Sequence, residues 1–205
     1  CYTSLSSGNG WNFQATDDLS KYAKWQKSFL LQDSEKSYRY WNELLSSPPE
    51  PFTFPFELVE RKPVSTGVVR SSFASVRVQG LTSYEILLTT LNVLLHHLTG
   101  ARDILIGTPA LGRPSFQFDQ SVGYFVNTLL LRTQVEKRSS LSNLLQQVRK
   151  QVRQAISCQF FPFSHINRSG NFQKYPFRVL FSFQAGTDSL GRAMAASSTG
   201  HTGVP

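Results

Sequence analysis

Residues 82–132 leave this chain few ways to fold. They read TSYEILLTTLNVLLHHLTGARDILIGTPALGRPSFQFDQSVGYFVNTLLLR. Thr82 followed three residues later by Glu85 is a capping box, so a helix starts there. Ile86, Leu87, Leu88, Leu91, Val93, Leu94, Leu95 and Leu98 leave few polar positions, which predicts a helix over 82–99 with most of its circumference buried. Gly100 is a left-handed stop. Ile104, Leu105 and Ile106 within 103–107 fit a short strand buried on both faces. After a Gly/Pro-rich loop, residues 122–132 are again almost all apolar and predict a central strand.

The rest of the chain supplies partners for this core. Asp17 and Asp18 open a helix to about Leu31, with Tyr22, Trp25 and Phe29 on one face. That aromatic stripe reads either as core packing, the commoner use, or as a ligand wall. Asp33 or Ser34 opens a second helix through Leu45, or the two helices run together, and Pro48, Pro49 and Pro51 then force an extended connector. Val69, Phe73 and Val76 alternate with polar residues, which predicts a half-exposed strand within 68–78. Residues 139–156 form an amphipathic helix, with Leu141, Leu144, Leu145, Val148, Val152 and Ile156 inward. Its outer Arg149, Lys150 and Arg153 are either an ordinary solvated face or a docking face. Residues 178–184 predict a strand with Val179, Phe181 and Phe183 on one side. Residues 1–18 are expected to be loose, and the Gly/Ser/Ala/Thr-rich 185–205 a disordered tail. The sum is α/β: a mixed sheet packed with helices.

Charge and composition exclude several classes. The formal charge is +8, with 21 Lys and Arg against 13 Asp and Glu. These cations are scattered, with no dense cluster on one helix or loop, so nucleic acid is not the expected partner. No apolar run is long enough to span a membrane, and no charged-then-apolar leader is present. The chain begins at Cys1, which suggests a piece of something longer. With only 2 cysteines there is no disulfide framework, and a cytoplasmic location is the simpler expectation. No metal-ligand spacing occurs.

The helix ending in Leu98-Thr99-Gly100, the IGTPALGR loop over 106–113 and VGYFVNT over 122–128 resemble the condensation domains of nonribosomal peptide synthetases. Tyr22-Ala23-Lys24-Trp25-Gln26 is similar to that family's YAxWQ segment, and Tyr40-Trp41 with Leu44-Leu45 to its YWxxxL segment. Pro162-Phe163 is similar to its PFE segment, with Ser164 where Glu is usual. Residues 175–184 resemble its PLFxVxFxxQ strand. The resemblance runs over 19–184 in the family's order. It implies a chloramphenicol-acetyltransferase-like lobe, comprising the end of a first lobe and most of a second. It also implies amide bond formation between carrier-tethered aminoacyl or peptidyl thioesters. No cofactor is expected to bind directly; the phosphopantetheine arms of carriers are the substrates. The implied partners are peptidyl carrier protein domains and neighbouring synthetase modules or the missing first lobe.

Two departures qualify this. The connection from residue 78 into the helix is shorter than the family pattern by about a dozen residues, a three-turn helix in length. The family's HHxxxDG motif, whose second His positions or deprotonates the amine, is absent from the sequence. His96-His97 lacks the following Asp-Gly and sits where a helix C-terminus favours His, so no residue is assigned as catalytic. What remains shapes a site. Gly107 and Gly112 are expected to allow tight turns. Arg113 binds an acidic group or locks its loop, and the resemblance places Gly123, Phe125, Asn127 and Thr128 near a tunnel between the two lobes. Asn127 is expected to be mostly buried and hydrogen-bonded, holding the fold or facing a polar ligand. Two functions stay open: a fragment of an amide-forming enzyme, inactive alone, or a degenerate lobe that binds carrier proteins or another partner.

Overall fold

The computed structural model describes residues 19–55, 67–71, 78–115, 118, 121–136, 138–169 and 177–184. In chain order the elements are α1 Leu19–Gln32, α2 Glu35–Leu45, α3 Ser83–Thr99, β1 Asp103–Ala110, β2 Asn127–Gln134, α4 Leu141–Ser157, α5 Phe163–Ser169 and β3 Val179–Leu180. The expectations for 1–18, for most of the strand within 68–78, and for 185–205 lie outside the described residues.

The sheet has the order β2-β1-β3, with β1 antiparallel to β2 and parallel to β3. Ile104 to Thr108 of β1 are all buried, as a strand covered on both faces requires. Successive side chains of β2 point to opposite faces. Leu129 and Leu131 lie toward Val152 and Ala155 of α4, and Thr133 donates to Gln151 of the same helix at 3.1 Å. Arg132 points the other way. It grips Asp103 with bonds of 2.6–3.2 Å and donates to the Leu44 carbonyl of α2 at 2.7 Å. α4 packs along β2 and against α3, which covers β1. Trp41, Leu88, Ile104, Ile106, Leu130 and Val148 form the centre of the core.

The capping box at α3 is present in both directions: Glu85 N–H donates to Thr82 Oγ1 and Thr82 N–H donates to a Glu85 oxygen. Gly100 ends the helix at φ +72°. The expectation that most of the circumference of α3 is buried was too broad. Val93, Leu94 and Leu98 are exposed, while Glu85, Thr89 and Asn92 are buried. The sheet covers only one side of the helix. The buried polar residues fit there because Thr89 and Asn92 donate back to the Glu85 and Leu88 carbonyls one turn earlier.

The strand expected over 122–132 begins only at Asn127, and among the described residues it lies at the sheet edge with β1 in the centre. The reason is register. Asn127 pairs with Ala110, the last residue of β1, and beyond it the partner chain turns away at Gly112, φ +64°. Residues 122–126 therefore have no ladder to join. Val122, Tyr124 and Val126 are 87%, 83% and 42% exposed, where a central strand would shield them, whereas Leu130 is fully buried. The last strand is also shorter than the 178–184 expected. Its alternation persists: Phe177, Val179 and Phe181 pack on the core, and Phe181 N–H donates to Gly107. Phe183 does not share that burial; it is exposed. In α4 the buried stripe is Leu144, Val148, Val152 and Ala155, with Leu141 and Ile156 at its ends exposed.

Candidate functional site

Three segments converge on one cleft of ≈ 350 Å³. α1 contributes Tyr22 and Gln26, one turn apart and so on one face. The extended segment and the start of β2 contribute Tyr124, Phe125, Val126, Asn127 and Thr128. The connection from α4 into α5 contributes Gln159, Phe160, Pro162, Phe163 and Ser164.

Asn127 joins two of these walls. Its amide nitrogen donates to the carbonyls of Gln159 at 2.7 Å and Phe161 at 2.8 Å, and its oxygen accepts from Phe163 N–H at 3.1 Å. The side chain is half-buried and its bonds go to backbone, so it works as the clamp that holds the 159–163 connection against β2. Arg113 likewise locks its loop. Its guanidinium donates to the Phe118 carbonyl and, at 3.1 Å, to the Ser121 carbonyl, and lies 4.1 Å over the Phe125 ring. Phe125 is 4% exposed and meets Tyr22 edge-on at 4.7 Å.

The glycines serve different ends. At Gly112 the left-handed backbone turns the loop, and an added Cβ would fall 2.0 Å from the Phe125 carbonyl oxygen. Gly107 makes no turn, contrary to the expectation for it. It lies within β1, where a Cβ would sit 2.5 Å from the Phe177 ring, so its smallness admits that ring onto the sheet. Gly123 leaves room for Leu19 of α1, 2.7 Å from such a Cβ. Thr128 lines the cleft and is half-buried.

The aromatic stripe of α1 serves packing and cleft together. Tyr22 stacks on Trp25 and Trp25 on Phe29, while Phe160 abuts both Trp25 and Phe29 edge-on. Only Tyr22 of the three lines the cleft. Its hydroxyl donates to the Gly112 carbonyl at 3.3 Å, and burial pushes its pKa up. Reasoning from the sequence passed over Gln26, Tyr124 and Gln159 as cleft residues. The spacing of Gln26 one turn after Tyr22 was the available signal for the first; nothing local marks the other two.

His96 sits at the end of α3 with its ring Nδ1 2.7 Å from the Ala101 carbonyl, a chain-turning contact remote in sequence from every cleft residue. On α4, Lys150 and Arg153 are exposed, and Arg149 lies 3.7 Å from Glu85 of α3. Among the described residues no helix is long and apolar enough to cross a membrane.

Comparison with known proteins follows the same lines. A family model for the condensation domain matches residues 1–200. Surfactin synthase subunit 1 of Bacillus subtilis (strain 168) is 31% identical over 188 residues, covering 82% of this chain and 5% of that protein. Phosphinothricin tripeptide synthetase PhsC of Streptomyces viridochromogenes is 31% identical over 157 residues, covering 71% of this chain and 14% of that protein. Among solved structures, the first condensation domain of the CDA synthetase superposes with a TM-score of 0.67 at 18% identity, over 88% of this chain and 42% of that one. The X-domain from teicoplanin biosynthesis superposes at 0.65 with 17% identity, over 87% of this chain and 45% of that one. The chain therefore spans less than half of each solved neighbour, and a small part of each synthetase.

Proposed function

The chain belongs to the condensation domain family, and from that premise we propose that it forms one side of the site where a nonribosomal peptide synthetase makes an amide bond. In that reaction the amine of one carrier-tethered residue attacks the thioester carbonyl of another; the carbon–sulfur bond breaks and the donor carrier's thiol leaves. The observation that carries the proposal is the cleft between Tyr22 and Gln26, residues 124–128 and residues 159–164, built by side chains whose bonds are spent on positioning its walls. Gln26, Thr128 and Gln159 offer neutral donors and acceptors suited to the amide groups of a phosphopantetheine arm. The chain's part is to hold and orient that arm, which is where much of the rate in such a reaction arises.

The base or positioning His is not assigned to this chain. His96 is occupied with the Ala101 carbonyl, and the HHxxxDG signature is absent from the sequence. Its partners under this reading are peptidyl carrier protein domains, together with neighbouring modules and a first lobe that carries the His. A second reading, a non-catalytic lobe that binds carriers, is favoured by the exposed Lys150 and Arg153 on a helix with no acidic residue.

A condensation assay with loaded donor and acceptor carriers separates them. The chain alone is expected to give no turnover above a no-protein control. The chain joined to an upstream lobe carrying HHxxxDG is expected to form the amide. Turnover by the chain alone would overturn the assignment of the base to another lobe, and no turnover by the joined form would favour the binding module.

A further inference from the structure

A second cavity, of ≈ 250 Å³, adjoins the cleft, and Gln159 lines both. Along β2, Asn127 borders the cleft, whereas Leu129 and Leu131 border the second cavity. Alternate residues of a strand face the same side, so the two spaces follow one another along one face of the sheet. The opposite wall is the end of α4, through Val152, Ala155 and Ile156. Tyr84 of α3 and the turn after β1 at Leu111 complete it.

The floor of this cavity is buried in the chain as it stands: Thr108, Leu129, Leu131, Val152 and Ala155 are all shielded. Its two hydroxyls are paired with each other and with backbone. Thr108 donates to the Phe181 carbonyl at 2.8 Å, so the 2.9 Å contact with Tyr84 is a bond that the Tyr84 hydroxyl donates. What the floor offers a ligand is therefore hydrocarbon. A cavity lined in this way holds water poorly and gains by taking up an apolar group; about 150 Å³ suffices for a benzene ring. The space here has room for one large side chain.

We infer that this cavity is the side-chain pocket of the cleft, receiving a large apolar side chain from the aminoacyl group whose arm lies in the cleft, with Gln159 at the passage between them. The inference rests on the cleft being the site of the carrier arm, as proposed above. It names the substrate class of that site: residues with a branched aliphatic or aromatic side chain, bound more tightly than glycine. The preference comes from hydrocarbon buried against Leu129, Leu131 and Val152, which grows with the side chain until the cavity is full. Ala155 sets the depth, because a larger residue there fills the space from the helix side.

The test uses the full chain and two pantetheine amides, in which nitrogen replaces the thioester sulfur so that the probe survives. Their acyl groups are N-acetylglycyl and N-acetylleucyl, which differ only in the side chain. Calorimetry gives each affinity, and the leucyl probe is expected to bind about tenfold more tightly, the gain from burying one such side chain. Methyl chemical shifts give the location: the leucyl probe should move the Leu129, Leu131 and Val152 methyls, and the glycyl probe should not. Ala155→Leu should remove the tenfold gain and leave glycyl binding as it was. Ile156→Asn, at a half-exposed rim position that does not endanger folding, should remove part of the gain. Equal binding of the two probes, or a gain that survives both substitutions, would overturn the side-chain pocket and leave the cleft as the arm's site. Absence of binding by both probes, in protein shown folded by circular dichroism, would overturn the arm's site and the pocket together.

Discussion

At the scale of single residues, the polar and glycine positions decide how the site is built. Asn127 makes three hydrogen bonds to backbone atoms of 159–163, so Asn127→Ala should leave the Gln159 and Phe161 carbonyls and the Phe163 N–H without that partner. Each group left unmet costs about 1–3 kcal/mol, and denaturant unfolding should show a loss of that order or larger. An unchanged midpoint would show that the clamp is not structural. Gly107→Ala should cost about 1–3 kcal/mol by forcing the Phe177 ring off the sheet, and adding Phe177→Leu should recover part of it. The sequence showed that Asn127 in an apolar strand needed partners. It could not show which, because they lie more than thirty residues away, at separations of 32 to 36. It misread Gly107 for the same reason: the ring that needs its space arrives from another part of the chain.

At the scale of elements, signals written in adjacent residues were legible and those set by the partner strand were not. The helix over 82–99, its capping box and its Gly100 stop follow from local hydrogen bonding alone. Thr82→Ala should therefore destabilise the protein by about 0.5–2 kcal/mol in denaturant unfolding, with helix α3 losing amide protection first. The length of β2 was not legible, since residues 122–126 are as apolar as those that follow and only the turn at Gly112 ends the pairing. Tyr84 ties α3 to the sheet: its hydroxyl lies 2.9 Å from Thr108 Oγ1, which in turn donates to the Phe181 carbonyl at 2.8 Å. Burial pushes the Tyr84 hydroxyl above its ordinary 10.0, with the Thr108 bond acting more weakly the other way. Burial raises those of Tyr22 and Tyr40 as well. The folded state thus holds these protons more tightly than the unfolded chain. Their contribution to stability is complete below pH 10 and falls as pH rises above it. Denaturant midpoints at pH 8 and pH 11 should differ in that sense, and Tyr84→Phe should narrow the gap; a flat profile would contradict the sign.

At the scale of the whole molecule, two apolar surfaces lack cover among the described residues. Val93, Leu94 and Leu98 of α3 form one, and Val122, Tyr124 and Val126 the other. The sequence showed a connection into α3 shorter than the family pattern, but not which residues would be bare. Exposed apolar surface of this kind drives association, so sedimentation velocity should show oligomers growing with concentration, and Val93→Lys with Leu94→Lys should reduce them. A monomer at every concentration would contradict this. The claim on which the functional account stands is that the cleft of α1, β2 and the 159–164 connection receives the carrier's arm. A pantetheine probe bearing a photoreactive diazirine at its acyl end, crosslinked to the folded chain and mapped by mass spectrometry, tests it most directly. The account predicts labels on Tyr22, Tyr124 and Phe160, suppressed by excess unlabelled pantetheine amide. Labels confined to the α4 cations or to the exposed face of α3 would contradict it.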